Sequence, residues 1–241
     1  MAIHDFSGKR ILVTGAGKGI GRETVQWLSR CGAEVIALGR NAADLAYCDQ
    51  TLVVDLADVA ATRAAVTSAL PIDLLVNCAG VVELESFLET SVQTFDHLMA
   101  VNTRAPMLVA QVVARDLIGR GVPGAIVNVS SLAAAVGTRD HLAYCASKAA
   151  ALMLTRSADK EYFDEGIRVV GLSPGTVATD MQVRIKASGI NPVSQLDPAV
   201  HIPADWPARA IAWLCTQEAA EFHGVDVSLR DEDIRRRAGL I

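Results

Sequence analysis

Short β-branched runs alternate along this chain with longer stretches whose apolar residues recur at helical spacing. Arg10-Ile-Leu-Val-Thr14 reads as a buried strand, Gly21 to Cys31 as a helix and Glu34-Val-Ile-Ala-Leu38 as the next strand, all joined by short loops. That is a βαβ unit. The alternation continues through Thr51-Leu-Val-Val54, Asp73-Leu-Leu-Val76, Ala125-Ile-Val-Asn-Val129 and Arg168-Val-Val-Gly-Leu172, with Val225-Asp-Val-Ser-Leu229 able to form a last strand. Repeated crossovers predict a mostly parallel sheet covered on both faces. No internal repeat or Gly/Ser linker divides the chain, so residues 1–241 read as one α/β domain.

Two stretches break the pattern. Thr179 to Pro207 carries Gly189, Pro192, Pro198, Pro203 and Pro207 without sustained periodicity, which predicts a lid-like substrate loop over 179–207. In Asp231-Glu-Asp-Ile-Arg-Arg-Arg237 the acids Asp231, Glu232 and Asp233 each stand four residues before Arg235, Arg236 and Arg237. That order supports a solvated helix rather than a nucleic-acid patch.

Composition narrows the function classes. The chain is 51% hydrophobic with a net charge of -5, which gives no basic footprint for nucleic acid and no polybasic membrane surface. There is no apolar run long enough to span a bilayer and no secretory signal pattern. Cys31, Cys48, Cys78, Cys145 and Cys215 are odd in number, widely spaced and free of C-x-x-C, so neither a disulfide framework nor a metal site is expected, and a reducing cytoplasm fits. A small-molecule partner is the expectation.

Thr14-Gly-Ala-Gly-Lys-Gly-Ile-Gly21 lies between the first strand and the first helix, where glycines permit a tight turn and backbone N–H groups at the helix start can hold a pyrophosphate. Its frame is Gly15-x-x-x-Gly19-x-Gly21. It is not a nucleotide triphosphatase loop, because Lys18 is followed by Gly19 and not by a magnesium-binding hydroxyl. Further on, Tyr144 and Lys148 stand four residues apart, on one helical face if the segment is a helix. An ammonium beside a phenol favours the phenolate, which predicts a tyrosine proton donor near neutral pH.

The glycine loop, Asn77-Cys-Ala-Gly80, Asn102, Ser131, Tyr144-x-x-x-Lys148 and Pro174-Gly175 together resemble the short-chain dehydrogenase/reductase family in order and spacing, over roughly residues 7 to 180. No G-x-S-x-G or H-E-x-x-H motif offers a rival chemistry. The resemblance implies a single Rossmann-like domain, a three-layer sandwich around a seven-stranded, mostly parallel sheet, and interconversion of a ketone or aldehyde with an alcohol. By the same resemblance Tyr144 donates the proton, Lys148 lowers its pKa and touches the nicotinamide ribose, Ser131 (with Ser130 as the rival hydroxyl) holds the substrate oxygen, and Asn102 holds a water leading from Lys148 to solvent.

Cofactor contacts follow similarly. Gly15, Lys18, Gly19, Ile20 and Gly21 form the phosphate loop. Asp55, with Leu56, receives the adenine; Asn77, Ala79 and Gly80 line the adenosine ribose; Pro174, Gly175, Val177 and Thr179 border the nicotinamide. After the second strand stand Gly39-Arg40, where a carboxylate would repel a 2′-phosphate and a guanidinium attracts one, so NADP(H) is expected over NAD(H), with Lys18 as a second cation.

His141 matches a substrate-proximal position in dicarbonyl/L-xylulose-type reductases. The altered ending, His223-Gly-Val-Asp-Val-Ser-Leu-Arg230, departs from the family's Val-Asp-Gly-Gly type. It bears on the tetramer interface, while dimerisation through helices around 95 to 118 and 144 to 163 stays open; a homodimer or homotetramer is expected. Reduction of a carrier-bound 3-oxoacyl chain, with Arg184 and Lys186 as docking cations, and a non-catalytic NADP sensor are the alternatives.

Overall fold

The computed structural model describes residues 4–190 and 192–241. Seven strands, β1 (Arg10–Thr14), β2 (Glu34–Gly39), β3 (Gln50–Val53), β4 (Leu74–Asn77), β5 (Gly124–Val129), β6 (Ile167–Ser173) and β7 (Asp226–Ser228), form one sheet in the order β3-β2-β1-β4-β5-β6-β7. All six pairings are parallel. Every strand expected from the hydrophobic pattern is present within one or two residues of its expected ends.

Helices cover both faces. They are α1 (Gly19–Arg30), α2 (Ala42–Leu45), α3 (Val59–Ser68), α4 (Val92–Met99), α5 (Ala105–Arg120), α6 (Leu142–Tyr162), α7 (Asp180–Ser188), α8 (Asp205–Leu214) and α9 (Glu232–Arg237). Two apolar layers result. Val13, Val76, Val127 and Leu172 pack with α1, α8 and α9 through Leu28, Trp213 and Ile234, while Leu12, Leu75, Ile126 and Val169 pack with α3 and α5 through Val66, Val113 and Leu117. Strands buried on both faces are what a parallel sheet under two helical layers requires.

Between α4 and α5 the helix runs through a π-helical turn, Ala100–Arg104, with Asn102 at its centre. Such turns are uncommon and concentrate at functional sites. The order β1-β4 at the centre of the sheet reverses the winding there, and the crevice at the carboxyl ends of the strands is where open α/β sheets bind ligands.

The irregular stretch holds more structure than its sequence predicts. Residues 180–188 form α7, opened by Asp180 in the first turn and closed by Gly189 at φ +66, with Ile185 its one buried side chain. The C-terminal segment also differs. Of the three acid–base pairs, Arg236 to Glu232 forms as expected (2.6 Å), but Arg235 donates to the Leu229 carbonyl and lies over Trp206, and Arg237 reaches Glu221 and stacks over Phe222. With Ile234, Ala238 and Leu240 buried, α9 docks on the core and is not simply a solvated helix.

Candidate active site

The glycine loop is held open by close approaches that no side chain would permit. Gly15 has φ +68, and a Cβ there would lie 2.7 Å from the Ala79 backbone; at Gly21 it would lie 2.2 Å from the Gly15 carbonyl oxygen. Thr14, buried at the end of β1, accepts hydrogen bonds at Oγ1 from the Cys78 and Ala79 amides (3.1 and 3.2 Å) and so ties the loop's root to β4. From below, the Tyr47 hydroxyl donates to the Ala16 carbonyl (2.6 Å). Neither role is legible from a single threonine or tyrosine in sequence.

At the start of α1, Lys18 is extended and gives no side-chain cap, and the first turn carries no acid. The positive end of the helix dipole and its unpaired N–H groups therefore face an anion site. Gly19 approaches Thr179 across the strand ends, a Cβ there lying 3.1 Å from the Thr179 methyl. Val177 is buried and bridges to Ile202; Pro174 is buried and Gly175 has φ +82. The segments 15–21, 77–80 and 174–179 thus converge at the carboxyl ends of β1, β4 and β6, a backbone cradle that fits a dinucleotide.

Around its far end the charges are less simple than the sequence suggests. Arg40 is exposed, but Lys18 stands 3.6 Å from Asp44 in α2, so it faces a carboxylate that the sequence reading did not weigh. Asp55 is exposed and accepts from the Ala57 amide (2.9 Å), beside buried Leu56. Asn77 turns its side chain away from the cradle. It is buried, donates to Asn128 Oδ1 (2.9 Å), and joins a polar chain that runs on to Thr155; only its backbone stays with Ala79 and Gly80.

Tyr144 lies in the first turn of α6 and Lys148 one turn later, as the spacing predicts. Ser131 caps a turn packed against α6 and stands by the Tyr144 phenol, which it draws toward the phenolate, while Ser130 turns away and donates to Asp226 (3.2 Å). The turn is Leu132–Ala134, where Ser131 accepts from the Ala133 amide (3.2 Å). Lys148 is buried, with Nζ donating to the Val129 carbonyl (2.9 Å) and lying 5.9 Å from the tyrosine ring centre.

The electrostatics reverse one expectation. Burial pushes the Tyr144 phenol above its ordinary value, and the neighbouring Ser131 hydroxyl pulls it back. It is Lys148 that moves down, to about 8, because its ammonium is desolvated. The thiol of nearby, half-buried Cys78 is pushed up by desolvation to about 12 and stays neutral.

Asn102 clamps the chain after Gly80. Its Oδ1 accepts from the Val81 amide (2.8 Å), and its Nδ2 donates to the Val81 carbonyl (2.9 Å) and to Ser147 Oγ (3.0 Å). Asn102 Oδ1 and Lys148 Nζ both flank Gly80, 3.5 and 3.6 Å from where its Cβ would stand. His141 is buried, stands edge-on to Tyr144 at 6.0 Å between ring centres and points Nδ1 at the Arg139 carbonyl (3.1 Å). The structure therefore brings Ser131, Tyr144, Lys148, Asn102 and His141 to one place.

Residues 9–188 match the short chain dehydrogenase family profile. Human L-xylulose reductase is 48% identical over 182 residues, covering 73% of this chain and 75% of that protein. D-erythrulose reductase of Gallus gallus is 47% identical over the same length, and carbonyl reductase [NADPH] 2 of Sus scrofa is 45% identical over 183 residues, with similar coverage. Among solved structures, a 2-deoxy-D-gluconate 3-dehydrogenase from Agrobacterium tumefaciens with bound NADP superposes with a TM-score of 0.84 at 27% identity, covering 93% of this chain and 96% of that one. A 4-hydroxyisoleucine dehydrogenase complexed with NADH gives 0.82 at 26% identity, covering 92% and 96%.

The chain belongs to the short-chain dehydrogenase/reductase family, NAD(P)-dependent oxidoreductases that act on carbonyl and alcohol groups. Within that family it is similar to the L-xylulose-type reductases.

Proposed function

We propose that the protein is an NADP(H)-dependent carbonyl reductase in which Ser131, Tyr144, Lys148 and Asn102 form the catalytic set. The observation that carries this reading is the placement of Ser131, in a turn packed on α6, by the Tyr144 phenol with Lys148 one helical turn away, next to a glycine cradle built for a dinucleotide. Gly15, Lys18, Gly19, Ile20 and Gly21 would hold the pyrophosphate, Asp55 and Leu56 the adenine, and the backbone of Asn77 with Ala79 and Gly80 the adenosine ribose. Pro174, Gly175, Val177 and Thr179 would hold the nicotinamide, with Tyr144 and Lys148 at its ribose. When bound, the cofactor supplies the hydride in reduction and accepts it in oxidation.

The chain's own residues handle the proton. Ser131 and Tyr144 bind the carbonyl oxygen from two sides, and Tyr144 gives its hydroxyl proton to that oxygen as negative charge develops there. Lys148, one turn on, supplies positive charge that favours the phenolate left behind. Asn102 fixes Val81 and Ser147, and so keeps the backbone between Gly80 and α6 in register with the site.

Arg40, exposed after β2 with no acid in its place, supports NADP(H) over NAD(H); Asp44 beside Lys18 weakens the second cation. The names of the relatives, L-xylulose and D-erythrulose reductase among them, support a short ketose or dicarbonyl substrate, with His141 beside the tyrosine as a polar neighbour for its hydroxyls. Carrier-bound chains fit less well, because Arg184 already faces Glu83 (3.4 Å) and Lys186 donates to the Leu196 carbonyl (3.1 Å). Residues 1–241 act as one catalytic domain, with 179–207 as the substrate loop, in a homo-oligomer joined through α4, α5 and α6.

Oxidation of NADPH and of NADH, followed in parallel against ketoses, diketones, quinones and 3-oxoacyl thioesters, tests the reading. Turnover with short ketoses or diketones and preference for NADPH is expected. Turnover confined to 3-oxoacyl thioesters, or a clear preference for NADH that Arg40→Ala leaves unchanged, contradicts it.

A further inference from the structure

Behind the catalytic residues, on the face of the sheet that α6 covers, lies a carboxylate for which the mechanism gives no role. Asp226 opens β7 opposite Gly171 of β6. Its Oδ2 accepts from Ser173 Oγ (2.7 Å) and Ser130 Oγ (3.2 Å). Its Oδ1 is buried with no hydrogen-bond partner and fills the space of an absent side chain, since a Cβ on Gly171 would stand 2.8 Å from it. Ser130, just past the end of β5, and Gly171 and Ser173 of β6 are therefore shaped around one carboxylate.

That group sits close to the end of the proton path. Ser130 follows Val129, whose carbonyl holds Lys148 Nζ at 2.9 Å. A half-buried carboxylate whose inner oxygen is buried and unpaired is unfavourable for folding alone, which points to a charge kept for what it does to its neighbours. We propose that Asp226 is a positioning residue that acts through Lys148: its carboxylate, fixed by Ser130 and Ser173, keeps the catalytic ammonium protonated in a dry site.

The surroundings agree. Lys148 is depressed to about 8 chiefly by burial, and the groups that oppose this are Cys78 at the end of β4 and Asp226. Cys78 is itself held neutral by burial; burial raises the Asp226 carboxyl too, but the Ser173 and Ser130 hydroxyls pull it back, which leaves Asp226 as the carboxylate acting on the lysine. Arg156 and Lys148, both on α6, are the cations whose charge favours the Asp226 carboxylate in return.

The inference rests on Lys148 belonging to the proton path, so the test reads the lysine directly as well as turnover. Protein labelled with 13C at lysine Cε is titrated by NMR, with Lys148→Arg identifying the Lys148 signal. In Asp226→Asn, which keeps the shape and removes the charge, the Lys148 midpoint is expected to fall by roughly one pH unit. The pH profile of alcohol oxidation should move with it, while KM for the cofactor stays within about twofold.

A Lys148 midpoint unchanged from wild type in folded Asp226→Asn overturns the proposal and leaves Asp226 a structural residue. Should circular dichroism show that variant unfolded, Ser173→Ala is read instead. Losing the stronger donor makes the buried carboxylate easier to protonate, so a lowered Lys148 midpoint is again expected and an unchanged one again overturns the proposal. A shifted midpoint with no oxidoreductase turnover in the wild type would leave this inference standing and count against the proposed function.

Discussion

Lys148 shows what the residue scale adds to a motif. The Tyr144–Lys148 spacing was legible in sequence, because helical periodicity alone places both on one face, while Ser131 came with the family resemblance. The depth at which they sit was not legible. Burial at 6% exposure lowers the lysine from 10.5 to about 8, so below pH 8 folded and unfolded states both carry the charge and the folded state bears its full desolvation cost. Between about pH 8 and 10.5 the folded protein loses the proton first, the unfolded state holds more protons, and this group's contribution makes stability rise with pH. Lys148→Met is therefore expected to raise the unfolding free energy at pH 7 by about 2 kcal/mol, net of the unpaired Val129 carbonyl, while abolishing turnover. Urea titration of cofactor-free protein checks the first part. Thr14, Tyr47, Asp44 and Asp226 escaped the sequence reading for a common reason: each acts through a partner far away in the chain, and a lone polar residue carries no local pattern.

At the scale of elements, strands were read almost to the residue, since runs such as Ile11-Leu-Val13 have no other way to be buried. α7 was missed because only Ile185 of its nine residues is buried, so it has no hydrophobic stripe; its end signals, Asp180 in the first turn and Gly189 after the last, were there to be read. The chain beyond α8 depends on a residue that reads as an ordinary strand position. Arg168 in β6 is buried and donates to the carbonyls of Leu214 (2.6 Å), Thr216 (3.1 Å), Ala219 (3.1 Å) and Phe222 (3.5 Å). One guanidinium thus closes α8 and steers the chain toward β7. Arg168→Met should cost about 3 kcal/mol, because buried carbonyls lose their donor together, and Arg168→Lys should recover only part of it, since an ammonium cannot span the same fork. Within the π-helical turn, Asn102→Ala removes three hydrogen bonds and is expected to cost about 2 kcal/mol and to lower kcat, through a loosened Val81. Thermal unfolding and steady-state kinetics on the same preparations measure both effects.

At the scale of the whole molecule, the parallel sheet and its two helical layers followed from the alternation of patterns, the number of strands came with the family resemblance, and strand order came only with the structure. The outer face left uncovered lies on the helices around 95 to 118 and 144 to 163 that the sequence offered for dimerisation. Met99, Met107, Met153 and Leu154 line an apolar groove between α4, α5 and α6, with Met153 56% exposed, a surface suited to a second copy of the chain. Met153→Glu places two carboxylates near the axis of such a dimer, and light scattering coupled to size-exclusion chromatography should then report a smaller species than wild type. The glycine cradle, the Ser131 and Tyr144 hydroxyls and the buried lysine meet at one end of the sheet, and the account stands on the claim that they move a proton. The direct measurement is Tyr144→Phe, with NADPH affinity followed by cofactor fluorescence and turnover followed by NADPH oxidation. Unchanged affinity with kcat reduced by about 10²- to 10⁴-fold is the predicted result; turnover within about twofold of wild type at unchanged affinity would contradict the account.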